Sequence, residues 1–241
     1  MMRRGIAVLG TLGAGLTIAL VFVSTLALTW PLTTFGPRVA VAHDVTLVAP
    51  SGTLAAGRVA RIAWRADGWP LALGPLDWQL AWPDQLALTL GEGRGAWHAH
   101  GTWRGLDTHW TISGGDLDAL DLSRLPLALA ARWEGQLDVT LRGRRCLASH
   151  GALTASSVTL LTPIRVALGH AKLQLRCRGG APELRLNLEQ GQALALALTL
   201  EPDSGRGELR GRIADSHPLA EWRRRLDPDA SGERLEHHFR W

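Results

Sequence analysis

From residue 45 to the end of the chain, apolar side chains return at every second position in one short run after another, and a chain patterned this way is built for β-sheets. Trp78, Leu80 and Trp82 alternate with Asp77, Gln79 and Ala81; Leu86, Leu88 and Leu90 follow with Ala87 and Thr89 between them. Trp97, Ala99, Gly101 and Trp103 oppose His98, His100, Thr102 and Arg104, and Trp110 and Ile112 oppose His109 and Thr111. The same alternation carries Leu137, Val139 and Leu141, then Leu173, Leu175 and Cys177, then Leu184, Leu186 and Leu188, and it closes the chain with Leu235, His237, Phe239 and Trp241. Gly91-Glu-Gly93, Gly114-Gly115, Gly179-Gly180-Ala-Pro182 and Pro202-Asp-Ser-Gly205 punctuate the runs with turn chemistry. Short strands separated by such turns predict an antiparallel meander with one apolar face and one wet face. Trp64 shares the apolar phase with Trp78, Trp82, Trp97, Trp103 and Trp110, so the tryptophans mark the inner side.

Three places depart from strict alternation. The apolar phase shifts between Ile164, Val166, Leu168 and Leu173, Leu175, which predicts a bulge near Gly169-His170. Asp116 to Pro126 reads as a short helical or looped crossover between two halves of the sheet. Pro218 to Leu226 sets Leu219, Trp222 and Leu226 on one helical face behind a cap at Ser216, and predicts one short helix. Leu194, Leu196, Leu198 and Leu200, backed by Ala193, Ala195 and Ala197, make a strand apolar on both sides; its leucines and the tryptophans line either an ordinary core or a groove for acyl chains.

The N-terminal residues obey a different rule. Ile6 to Leu28 is a run without a charge, about 34 Å long as a helix against a hydrocarbon core of about 30 Å. Arg3 and Arg4 precede it, no further basic residue occurs until Arg38, and Trp30 stands at its exit, a pattern that puts the N-terminus in the cytoplasm and the body of the chain across the membrane. A cleaved signal peptide is the competing reading, with Val39-Ala-Val-Ala42 as its cleavage site, but the apolar run exceeds the usual 7–15 residues of such a peptide. The expected organisation is a stub and transmembrane anchor over residues 1–30, a linker over 31–44 and a periplasmic β domain over 45–241.

Charge excludes a nucleic-acid partner. The pI of about 10.3 rests on 26 basic groups against 22 acidic ones, a net of only +4, and Arg3 and Arg4 supply half of that excess. The remaining arginines alternate with acids along the chain, which describes a solvated mixed surface and not a phosphate-neutralising stripe.

Few residues suggest chemistry. Cys146 and Cys177 are the only cysteines and fall on the non-cytoplasmic side, where a disulfide persists; two free buried thiols or a redox pair are the alternatives, and no CxxC supports the latter. His98 and His100 share a strand face and His109 follows across a turn, a set that invites zinc, yet that face is the wet one and no cysteine or carboxylate joins them in sequence. Asp116, Asp118 and Asp121 lack the glycine turn and terminal glutamate of a calcium loop. Without GxSxG, HExxH, a P-loop or a dinucleotide fingerprint, the expectation is a protein with no catalytic residues, no metal and no cofactor.

Ser51-Gly-Thr-Leu-Ala-Ala-Gly57 with the strand to Trp64, Leu76-Asp-Trp78-Gln-Leu80 running into Leu86 to Gly91, the cysteine pair, and His217-Pro-Leu to Leu226-Asp-Pro-Asp-Ala-Ser-Gly232 together resemble the type II secretion system protein N family, also called general secretion pathway protein N. The resemblance implies a single-pass inner-membrane accessory component of the machine that exports folded periplasmic proteins, without enzymatic activity and with other secretion subunits as partners. The family is in turn similar to AsmA-like proteins, whose curved sheets form grooves that hold lipid. The fold expected is therefore mainly β: a transmembrane helix, then a curved antiparallel meander with one short C-terminal helix. Its role is structural, and the alternative is a lipid-binding or lipid-transfer groove.

Overall fold

The computed structural model describes residue 31 and residues 45–66, 69–117, 128–162, 164–226 and 232–240. The expected anchor over residues 6–28 and nearly all of the linker lie outside the described residues. Among the described residues no helix is long and apolar enough to cross a membrane.

Among the described residues fifteen strands form one sheet: β1 (Val45–Gly52), β2 (Ala56–Ala66), β3 (Trp69–Leu73), β4 (Leu76–Ala81), β5 (Gln85–Leu90), β6 (Trp97–Arg104), β7 (Asp107–Ser113), β8 (Ala128–Ala131), β9 (Glu134–Arg142), β10 (Arg145–Thr162), β11 (Val166–Arg178), β12 (Ala181–Gln190), β13 (Leu194–Glu201), β14 (Arg206–Ile213) and β15 (Arg234–Arg240). The order is β1-β2-β4-β5-β6-β7-β9-β10-β11-β12-β13-β14-β15, with β3 beside β2 and β8 beside β10, and every pairing is antiparallel. Strands thus follow one another in space as in sequence, because each turn is short enough to return the chain only to the adjacent position. Gly179 and Gly180 (φ 62° and 89°) make the hairpin between β11 and β12 in the left-handed conformation that other residues resist.

The long strand β10 serves two neighbours in line: its first half pairs with β9 and its last five residues with β8. The segment expected to cross between two halves of the sheet lies, beyond Leu117, outside the described residues; β7 before it and β9 after it are direct neighbours. The bulge expected near Gly169 is present. Ala155 pairs with Ala171 and Val158 with Gly169, so β10 carries an extra residue at Ser156-Ser157, and the register shifts again before Thr159 pairs with Ala167. Gly169 sits there at φ 81°.

The helix α1 (Ala220–Leu226) begins two residues inside the expected span and carries Glu221 in its first turn. Leu219 and Trp222 pack with Leu194 of β13, Ile213 of β14 and Leu235 of β15 in one cluster that continues through Leu168, Leu160, Val158 and Leu153. Leu194 is 0% exposed and Leu153 1%, so this end of the apolar face is a closed core, each leucine contributing about 1.5–3 kcal/mol by burial.

The Cys146–Cys177 disulfide is present, with a Cα separation of 5.2 Å, and joins the start of β10 to the end of β11 where the Cys146 N–H also donates to the Gly180 carbonyl at 2.8 Å. No free cysteine remains.

Candidate functional site

The register lines side chains up in rows across successive strands. On the apolar face one row runs Trp78, Leu88, Ala99, Ile112, Leu137 and Gly151, and another runs Leu175, Leu184, Leu200, Gly207 and Phe239. The neighbouring row includes Leu76, Leu90, Trp97, Leu153, Leu173, Leu186, Leu198, Leu209 and His237. Its cover is uneven. Near α1 the face is sealed, but Leu173, Leu186, Leu196, Leu198 and Leu209 are only half-buried, and so are Leu80, Trp78, Trp97, Trp103 and Trp110. Of these, Trp97, Leu173, Leu186, Leu196 and Leu209 pack against the core cluster without being fully covered by it.

The aromatic residues are fitted to glycines opposite them. Trp110 lies over Gly101, where a Cβ would stand 2.9 Å from the indole, and Phe239 covers Gly207 in the same way. Trp103 meets Trp110 edge to face at 6.4 Å. The indole N–H of Trp97 donates to the Asp116 carbonyl at 3.1 Å and that of Trp78 to the Leu54 carbonyl at 3.1 Å, so each ring keeps an apolar body and a satisfied tip.

Trp82 departs from the expected phase. β4 ends at Ala81, Trp82 to Asp84 form the turn, and Trp82 is 79% exposed. Pro83, which has no N–H to give a ladder, stops the strand one residue before the alternation in sequence would have ended. Trp64 is part of β2 and pairs with Val45 and Leu71. Trp133, which the alternation did not single out, is buried at 8% beside Leu137 in the core. It lies between β8 and β9 where no periodic run exists to reveal it.

On the wet face the three histidines of the candidate zinc set stay apart. His98 hydrogen-bonds Thr89 through Nδ1 at 3.3 Å, His109 hydrogen-bonds Thr140 at 2.9 Å, and the register sets His100 opposite Thr111 while His109 faces Thr102. Among the described residues, three metal-capable donor atoms gather only at Glu208, Glu236 and His238. There the chain supplies its own cation: the Arg210 guanidinium contacts Glu208 and lies 3.1 Å from Glu236. The Glu236 carboxyl is held below its ordinary pKa, first by its hydrogen bond to His238 and then by Arg210. Asp116 forms a backbone bridge to Arg132 and an ion pair with it at 3.8 Å; Asp118 and Asp121 lie outside the described residues.

Among the described residues eight arginines form ion pairs with acids. Arg142 grips Asp107 with two bonds of 2.7 and 3.0 Å and thereby lowers the carboxyl's pKa, and Arg185 lies 2.7 Å from Glu183. A depression of about 410 Å³ between β10, β11 and β12 is lined by Glu134, Ser156, His170, Lys172 and Glu189, a mixed set that favours neither sign of ligand. One buried polar knot holds α1 down. The Leu219 N–H donates to His217 Nδ1 at 3.2 Å, so Nε2 carries the proton and donates to Gln190 at 3.0 Å. Arg223 reaches the Ile213 carbonyl at 2.7 Å and Asp215 at 2.6 Å. No periodicity in the sequence pointed to His217 or Arg223.

The described residues form an open antiparallel meander whose apolar face is sealed near α1 and half-buried away from it. The chain belongs to the type II secretion system protein N family, whose profile matches residues 43–222. No match to the chain was found among curated proteins or among solved structures. Membership makes the protein an accessory component of type II secretion.

Proposed function

We propose that the chain is a bitopic inner-membrane subunit of the type II secretion system that works without catalysis, anchored by residues 6–28 with residues 45–241 in the periplasm. The single observation that carries the reading is family membership over residues 43–222, and the open sheet supports it, because a scaffold of this kind offers partners a face and two edges. The Cys146–Cys177 bridge supports the periplasmic side, since disulfides persist in oxidising compartments. The apolar run over residues 6–28 and the preceding arginine pair support the anchor and its orientation. The test is cross-linking in intact cells followed by purification of the tagged full chain. Recovery of other secretion subunits, with loss of export in a deletion strain, is the expected result; a chain that recovers none of them while export continues unchanged would refute it.

One observation favours a second reading, in which the apolar face takes acyl chains. The leucines of β11 to β14 remain half-buried away from α1, although they belong to the same rows as the sealed core. Mass spectrometry of the purified full chain decides it: stoichiometric co-purifying lipid supports the groove, and its absence after extraction in mild detergent removes it.

A further inference from the structure

The two ends of the sheet are not alike. At β1, Ala49 adopts φ 50° and Pro50 has no N–H to offer, so an incoming strand meets an interrupted ladder. At β15 the backbone runs without interruption from Arg234 to Arg240. The Ile213 N–H donates to the Glu233 carbonyl at 2.9 Å, which fixes the hydrogen-bonding phase. Leu235, His237 and Phe239 bond β14 through their main chains, and the N–H and C=O groups of Arg234, Glu236, His238 and Arg240 point away from it. No strand follows β15 in the sheet order among the described residues.

The side chains on these outward positions carry an unbalanced charge. Arg240 lies directly opposite Arg206 of β14, and among the described residues neither forms an ion pair with an acid. Like charges set opposite each other in a sheet repel. Four residues away on the same edge stands Glu236, whose carboxylate Arg210 of β14 meets at 3.1 Å on the same face of the sheet. We propose that β15 pairs antiparallel with β15 of a second copy of this chain, in the register that places His238 opposite His238 on the two-fold axis. Glu236 of each copy then lies opposite Arg240 of the other, twice, and His237 lies opposite Phe239 on the apolar face. Slipping by one permitted step sets Arg234 against Arg240 twice, slipping by two sets Glu236 against Glu236, and slipping the other way sets His238 against Arg240. Charge therefore selects one register. The joined sheet carries the apolar rows of both copies across the seam. The proposal stands on the sheet alone and holds or fails whichever machine the protein serves.

The native cysteines are bridged, so His238→Cys introduces the only free thiol, at a side chain that is 63% exposed. In the full chain in detergent micelles, mild oxidation of H238C is expected to yield a covalent dimer as the main product, while R234C stays monomeric. Adding Glu236→Arg to H238C lowers the yield about tenfold, and adding Arg240→Glu to that chain restores it, because the opposed pairs are again of unlike charge. Sedimentation of the unmodified full chain follows the dimer independently of any thiol. A monomer in sedimentation with no H238C dimer, equal linking by R234C, or no rescue by the charge swap would each overturn the proposal.

Discussion

Leu194 and Leu196 stand two residues apart on one strand and on one face, yet the structure gives them different surroundings. Leu194 is 0% exposed among Leu219, Ile213 and Leu235, whereas Leu196 packs against that cluster and remains half-buried. Leu194→Ala removes three carbons at about 0.8 kcal/mol each, roughly 2.4 kcal/mol, and leaves a cavity that the strand pairings on both sides prevent from collapsing. The expected loss is about 3–4 kcal/mol. Leu196→Ala forfeits only the covered part of the same carbons, and solvent or neighbouring leucines fill the space, so its loss is about 1–1.5 kcal/mol. At about 2–4 °C per kcal/mol for a chain of this size, thermal unfolding of the full chain should fall by roughly 6–16 °C for the first variant and roughly 2–6 °C for the second. Tryptophan fluorescence and circular dichroism read both transitions. Equal losses at the two positions would mean that Leu196 is covered as completely as Leu194, and the distinction between a closed end and an open end of the face would be wrong.

Replacing Cys146 and Cys177 together by alanine opens a loop of about 32 residues and should cost about 3–4 kcal/mol by the chain-entropy estimate, seen as a lower urea midpoint that the reduced native chain reproduces. Burial pushes the His217 pKa below its ordinary 6.5, partly offset by the Ala167 carbonyl, so the unfolded chain binds the proton first. Stability should be full above pH 6.5, fall as the pH drops through that value and level off below the folded pKa; a His217→Gln chain should lose this slope, and an unchanged slope would show that other groups carry it. Arg223→Met keeps the buried stem but leaves the Ile213 carbonyl unpaired, and should cost about 2–3 kcal/mol and expose Trp222 to fluorescence quenchers.

The alternation of β6, β7, β9, β12, β13 and β15 was legible residue by residue, because a sheet with one covered face leaves a period of two in the sequence. The turns at Gly179-Gly180 and the shift at Gly169 were legible for the related reason that only glycine takes positive φ cheaply. What escaped was whatever depends on a distant segment. Leu194 and Leu196 are equivalent in a run of alternating leucines, and only the landing place of α1 separates them. Trp82 continued the apolar phase on paper, and a single proline ended the strand before it. Trp133 sits in a gap between β8 and β9, and His217 and Arg223 find their partners in Gln190 of β12, Asp215 and backbone atoms, none of which a local pattern reveals. Histidines 98, 100 and 109 were placed correctly on the wet face, but how far apart they stand is a property of the register between β6 and β7.

Outside the core cluster around α1, each strand of this sheet touches mainly the strands beside it in the sheet order. Such a ladder behaves as a one-dimensional array whose stability is close to a sum over adjacent contacts. Damage in β4 therefore has few direct routes to β12, and a hairpin added or lost alters the length of the apolar rows without rebuilding the remainder. Reach becomes an adjustable quantity: a lineage can lengthen or shorten the span between the two edges in steps of one hairpin while leaving the edges themselves, and whatever binds them, unchanged.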